Sequence, residues 1–212
     1  SYKNSIHEEL LRNYILDKSP HLHISLSSEI SPIIGEFDRL NTTCANAYIQ
    51  PIAEKYLNDL NNHLCSLGIE KFRLIWSDGG LSSLKESVLT PIRLLESGPA
   101  GGALAVSSLS RSSNNDNCIA FDMGGTTAKI CLLKDLKPGK ATEFEFGRVH
   151  QNKPGSGIKV KVPSIHMLEI GAGGGSIAEV DELGLLKIGP ESAGSDPGPI
   201  CYGQGGKNVT IT

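Results

Sequence analysis

Glycine is spread so unevenly along these 212 residues that it divides the chain: 20 of the 24 glycines lie from Gly98 onward, and eleven of those crowd into residues 171–206. A stretch this rich in glycine suits tight turns and close backbone contacts and gives helices little support. Gly and Pro together number 35 of 212, below the roughly 25–30% that marks low complexity. The glycines therefore read as turns in a folded, strand-rich half, and the chain divides near residue 97.

The first half reads as mainly helical. Ile6, Leu10, Leu11, Tyr14 and Ile15 recur at helical spacing and predict an amphipathic helix over about 5–17, stopped by Ser19-Pro20. His21 to Leu26 alternates with period two and predicts a strand. Leu40, Cys44, Tyr48, Ile52, Tyr56, Leu60 and Leu64 step by four, with Leu67-Gly68 as the stop. Pro51 lacks a backbone donor, so a kink or two abutting helices are expected. Phe72 to Trp76 reads as a buried strand before the turn Ser77-Asp78-Gly79-Gly80, after which Leu81-Ser82-Ser83-Leu84 reads helical. Ile92 to Glu96 reads as a strand, residues 97–106 as a helix of small residues, and 107–117 as an exposed connector.

Chain-wide composition excludes several functions. Apolar residues make up 39% and charged residues 20%, with a net charge of -3. That composition supports a folded core but offers no basic excess for a phosphate backbone, so a nucleic-acid partner is not expected. No apolar run approaches the roughly 18–20 residues of a membrane span, and no secretory signal core is present, so no membrane partner is expected. Cys44, Cys65, Cys118, Cys131 and Cys201 are widely spaced without a Cys-x-x-Cys pair, which argues against a zinc knuckle or redox dithiol. Cys118, Cys131 and Cys201 read as buried thiols, and a reducing compartment, the cytoplasm, fits best. The opening without Met and the strand-like close at Val209-Thr210-Ile211-Thr212 read as a segment of something longer.

From residue 117 the period switches to two. Residues 118–121 and 128–133 read as strands joined through Asp122-Met123-Gly124-Gly125-Thr126-Thr127, and Pro138-Gly139 turns the chain toward a third strand near 143–148. An aspartate at a strand end can hold a hydrated divalent cation. Two glycines let a tight turn aim bare N–H groups outward, and threonines add hydroxyls, which together make an anion cradle. The plain alternative is a hairpin turn with no ligand. The string Gly171-Ala172-Gly173-Gly174-Gly175-Ser176 leaves the same choice open, between amides approaching a nucleotide and a close strand crossing. Lys129 reads as solvent-facing or as a point charge for phosphate.

The order of strand, small-residue helix, polar connector and Asp-x-Gly-Gly-Thr hairpin resembles the actin, sugar-kinase and heat-shock-chaperone ATPase superfamily. Within it the chain is similar to the hydantoinase A/5-oxoprolinase family, which includes N-methylhydantoinases and acetone-type carboxylase β subunits. The matching segments are 28–32, 46–48, 77–80, 97–102, 121–127, 170–178 (IGAGGGSIA) and 189–206 (GPESAGSDPGPICYGQGG), in family order. The resemblance implies an α/β fold: an actin-like (ribonuclease H-like) ATPase lobe with a mixed sheet and flanking helices, part of a larger enzyme. Segment 1–97 would belong to the preceding lobe and 98–212 to a glycine-rich lobe carrying the second phosphate loop. The first such loop is absent from residues 1–97.

The implied activity is ATP-dependent hydrolysis of a cyclic amide activated by phosphorylation. A β-subunit-like component of an acetone-type carboxylase, or a non-catalytic nucleotide-responsive module, is the alternative. Asp122 is the implied catalytic residue and holder of Mg²⁺ or Mn²⁺. Gly124, Gly125, Thr126 and Thr127 are implied to bind ATP phosphates, with Gly173, Gly174 and Gly175 as further nucleotide contacts. A small cyclic amide or ketone is the implied substrate and a B-type chain the implied partner subunit. Two departures stand out: Thr127-Ala128-Lys129 where many members carry Ser-Thr-Asp, and Glu169 where others show a His-Thr pair.

Overall fold

The computed structural model describes residues 2–113, 115–147, 149 and 155–212. In chain order its helices are α1 (Ile6–Lys18), α2 (Ser27–Ile30), α3 (Glu36–Ser66), α4 (Leu84–Leu89) and α5 (Ser97–Ser110). Its strands are β1 (Leu74–Ile75), β2 (Leu81–Ser82), β3 (Cys118–Met123), β4 (Ala128–Lys134), β5 (Lys137–Pro138), β6 (Lys140–Ala141), β7 (Phe144–Phe146), β8 (Ile158–Val160), β9 (Ser164–Ile165), β10 (Leu168–Ile170), β11 (Ser176–Val180) and β12 (Leu186–Ser192). They form two compact units, Ser1–Gly101 with Lys140–Ile165, and Gly102–Gly139 with His166–Thr212.

The first unit is organised by α3, a single helix that runs through Pro51 rather than breaking into two. It ends as predicted at Gly68, whose φ of +79° suits glycine, while the Ile69 N–H returns to the Leu64 carbonyl. The stripe that predicts α3 is not the one it buries. Leu40, Tyr48, Ile52 and Tyr56 are exposed, whereas Thr42, Asn46, Gln50 and Leu57 are buried. The polar inner stripe is satisfied by partners distant in sequence: Thr42 Oγ1 accepts the Lys161 N–H at 2.9 Å, and Gln50 Oε1 accepts the Ser25 hydroxyl at 3.1 Å. The core gathers Ile92, Val160 and Val162, packed by Ile30, Ile49, Leu95, Phe144 and Phe146.

Three local expectations are corrected in this unit. Residues 21–26 form no strand, because among the described residues no neighbouring strand takes their backbone; Ser25 and His23 face α3 side chains instead. Residues 91–94 form a 3-10 turn where a strand was expected, since Pro91 presets the first dihedral and the Ile92 N–H goes to Asn46. Leu81–Ser82 pairs with Leu74–Ile75 as a strand, and the helix begins only after Ser83 caps it. The strand expected near 143–148 is β7; Arg148 lies outside the described residues.

The second unit is built on a sheet in the order β10-β4-β3, with β5 also on β4 and every pairing antiparallel. Strands alternate as the sequence predicts: Cys131 and Leu133 are buried in β4 while Leu132 and Lys134 are exposed. β11 and β12 form a separate hairpin. The connector expected over 107–117 is shorter than its polarity suggests. α5 continues to Ser110, helped by the Ser107 hydroxyl donating to the Leu136 carbonyl at 2.6 Å. Among the described residues no helix is long and apolar enough to cross a membrane.

Candidate functional site

The hairpin β3–β4 forms where the period-two pattern places it, with Met123 opposite Ala128 as its last strand pair. The Gly124 N–H donates to the Thr127 carbonyl at 2.9 Å, which narrows the loop to Gly125 and Thr126. The carbonyls of Gly124 and Gly125 accept from the Gly174 and Gly175 amides at 2.9 and 2.7 Å. Cis peptides among the described residues occur only before prolines, so both of these peptides are trans. A trans peptide points its N–H opposite its C=O, so the Gly125 and Thr126 amides point away from residues 174 and 175. Among the described residues, the amides of Gly125, Thr126 and Thr127 donate to no protein acceptor. Gly125 and Thr126 are exposed, as is Asp122 at the adjoining strand end.

Asp122 stands directly across the hairpin from Lys129, and Lys129 stands directly across from Glu169 in β10. One lysine thus sits between two carboxylate positions in a row across three strands. Positions 129 and 169 are therefore facing neighbours in the sheet. Cross-strand opposite charges of this kind stabilise a pair by a few tenths of a kcal/mol to about 1 kcal/mol. The register joining them spans 40 residues and leaves no local mark in the sequence.

Gly173, Gly174 and Gly175 are brought against the turn, all three buried. Their amides are already engaged: Gly173 with Ser176 Oγ at 3.0 Å, Gly174 with Gly124, and Gly175 with Gly125. The free donors expected of these three glycines are not what the geometry provides. A Cβ on Gly173 would lie 2.6 Å from the backbone nitrogens of Thr126 and Thr127. These three glycines cross the turn closely, with their N–H groups engaged within the chain.

The other glycine turn is closed. Gly80 donates to Asp78 Oδ1 at 2.9 Å, Trp76 donates to the Gly80 carbonyl at 2.8 Å, and Arg93 reaches Asp78 Oδ2 at 3.1 Å with its guanidinium 3.6 Å from the Trp76 ring centre. Asp78 is thus tied into the first unit by a cation stacked on an aromatic face. Among the described residues, no three His, Cys, Asp or Glu side chains gather as a metal cluster. A hydrated ion held by one carboxylate and phosphate oxygens needs no such cluster. Cys201 is exposed rather than buried, because its short 3-10 turn carries it outward, while burial pushes the Cys131 thiol up.

These features define a mixed α/β chain whose antiparallel sheet ends in a glycine–threonine turn with open amides. The chain belongs to the hydantoinase/oxoprolinase family, which it matches over residues 39–212. It is 43% identical to the uncharacterised protein MJ0964 of Methanocaldococcus jannaschii, over all of this chain and 32% of that protein. It is 35% identical to the 5-oxoprolinase of Saccharomyces cerevisiae, over all of this chain and 16% of that enzyme. Among solved structures it resembles nucleotide-free acetone carboxylase, an enzyme of ATP-dependent acetone carboxylation, with a TM-score of 0.75 at 27% identity. It also resembles the ATP-dependent caprolactamase of Pseudomonas jessenii, with a TM-score of 0.69 at 29% identity. Each likeness covers all of this chain and 29% of the solved one. The chain therefore spans about a third or less of the length of these relatives.

Proposed function

We propose that this chain is the phosphate-gripping part of an ATP-dependent enzyme that activates a cyclic amide carbonyl by phosphorylation. The single observation that carries the proposal is the set of three successive amides at 125–127 that have no acceptor among the described residues, beside an exposed Asp122. Backbone amides arrayed in this way suit the oxygens of a terminal phosphate. The resemblance of the chain to ATP-dependent caprolactamase supports the nucleotide and the substrate class. The reading includes an actin-like lobe whose partner lobe, with the first phosphate loop, closes over the nucleotide. On that basis residues 1–212 alone have little activity, and a B-type subunit completes the enzyme.

In this reading the amide oxygen attacks the γ-phosphorus, the bond to the bridging oxygen breaks, and ADP leaves. Water then adds to the activated carbon, the ring carbon–nitrogen bond breaks with a proton passing to nitrogen to leave an acyl phosphate, and a second water hydrolyses that acyl phosphate to carboxylate and inorganic phosphate. Gly125, Thr126 and Thr127 hold the transferring oxygens, and Asp122 orders their counter-ion. A bound Mg²⁺ or Mn²⁺ supplies charge neutralisation of the terminal phosphates.

The likeness to acetone carboxylase favours a second reading, in which the phosphorylated oxygen belongs to a ketone enolate and the carbon acceptor is a carboxyl donor. ATPase stimulated by 5-oxoproline, a hydantoin or a lactam supports the hydrolase. Stimulation by a ketone with bicarbonate supports the carboxylase. In either case Asp122→Ala in the whole protein lowers ATP turnover by about 10²-fold or more, the loss typical of removing one oriented electrostatic contact. Unchanged turnover in that variant, with circular dichroism intact, rules out the assigned role.

A further inference from the structure

We infer that residues 173–175 are positioning residues for the phosphate turn: they aim its amides at the anion and donate nothing to it themselves. The inference rests on the ATP reading above and goes beyond it by naming what holds the turn in its binding shape.

A two-residue loop between strands ordinarily leaves its two central amides open and closes the amide of its fourth residue. In a common β-turn the fourth residue's N–H bonds the first residue's carbonyl. Here the Gly124 carbonyl is taken by Gly174, and the Thr127 amide stays open. The Gly125 carbonyl is likewise taken by Gly175. Those two bonds fix the planes of two consecutive peptides, and the planes fix where the Gly125 and Thr126 amides point. The strap is itself held from behind, since Thr212 donates to the Gly174 carbonyl at 2.9 Å and Ala193 to the Gly175 carbonyl at 2.8 Å. Its preorganisation is what makes the amides ready donors without rearrangement on binding.

The approach also sets a graded demand for glycine. At 173 an added Cβ meets backbone atoms of Thr126 and Thr127 at 2.6 Å, which no rotamer change relieves. At 175 it meets the Ser192 hydroxyl at 2.9 Å and the Gly125 carbonyl oxygen at 3.0 Å. At 174 it runs into the Thr212 hydroxyl, a side-chain atom of the segment behind the strap, and into no turn backbone atom closer than 3.7 Å. Position 173 is therefore the point at which one methyl group must displace the turn, though it lies 47 residues from Thr126 in sequence.

The test compares Gly173→Ala with Leu133→Ala in the whole protein, using magnesium-ATP as the probe. Leu133 is buried in β4 and pairs with Cys118 at the end of the hairpin away from the turn, so its truncation measures the effect of lost stability. Gly173→Ala is expected to raise the Kd for magnesium-ATP, and the KM for ATP, at least tenfold. Leu133→Ala is expected to lower the Tm and leave that Kd within twofold. A wild-type Kd in Gly173→Ala overturns the inference, and so does an equal rise in Leu133→Ala. If Gly173→Ala fails to fold, Gly175→Ala, with its milder conflict, replaces it and must show a rise of at least threefold. A wild-type protein with no ATP response overturns the ATP reading and the inference together, which separates that failure from the others.

Discussion

The side-chain amide of Asn46 accepts the backbone N–H of Ile92 at 3.2 Å, joining the middle of α3 to the start of the 3-10 turn. The same side chain donates from Nδ2 to the Leu89 carbonyl at 3.1 Å and to the Ser25 hydroxyl at 3.0 Å. Asn46 is fully buried, and Ile92 is 1% exposed at the centre of the core. Asn46 thus explains a polar residue on the inner stripe of a helix that leaves Leu40, Tyr48, Ile52 and Tyr56 exposed.

Asn46→Ala leaves the Ile92 N–H without its acceptor in a site that water does not reach. A buried group deprived of its partner costs about 1–3 kcal/mol, and the Leu89 carbonyl loses its donor as well. The expected loss is about 2–3 kcal/mol, read as a lower denaturation midpoint at unchanged slope. A midpoint within experimental error of wild type would show that the contact does not organise this unit.

A pH-dependent contribution is expected from α4. The Ser83 N–H and hydroxyl both donate to Glu86 Oε2 at 2.8 Å, and the Glu86 N–H returns to Ser83 Oγ at 3.3 Å. The Ser83 backbone N–H, then its hydroxyl, hold the Glu86 carboxyl below the usual carboxylate range. Its folded pKa is therefore below its unfolded value of about 4.3, so the stabilisation is fully present above that value and is lost as pH falls through the folded pKa. Glu86→Gln keeps a hydrogen-bonding side chain but removes the titration. Wild type should be the more stable of the two at neutral pH, and the difference should close in acid. A difference that stays constant with pH would remove the carboxylate from this cap.

The turn at 122–127 was legible because its signals are local: apolar alternation on both sides, an aspartate at the strand end, and a Gly-Gly pair that suits only a tight turn. The long α3 was legible from its four-residue step, but the buried face was not, because Asn46 and Gln50 are explained only by partners at 92 and 25. Alternation over residues 21–26 suggested a strand that has no neighbour to pair with among the described residues. The return of Lys140–Ile165 to the first unit left no mark in composition. For the candidate site, what escaped the sequence was all long-range. Lys129 faces Glu169 and Gly173 crosses Thr126 through registers set by the fold, and neither pairing has a signature in nearby residues.

The cysteines provide a chemical measure of how firmly the strand behind the turn is held. Cys131 lies in β4 at 2% exposure, and burial pushes its thiol up. Cys44, Cys65 and Cys201 are exposed. Alkylation needs the thiolate and access together, and Cys131 has neither while β3 and β4 remain paired. Iodoacetamide at neutral pH followed by peptide mass spectrometry should modify the three exposed thiols first. Cys131 should follow only at the rate of global unfolding, shifting with denaturant as the midpoint does. Modification of Cys131 in native buffer as fast as Cys201 would mean that the hairpin opens locally. A turn carried on so loose a strand would lack the preorganisation proposed for its amides.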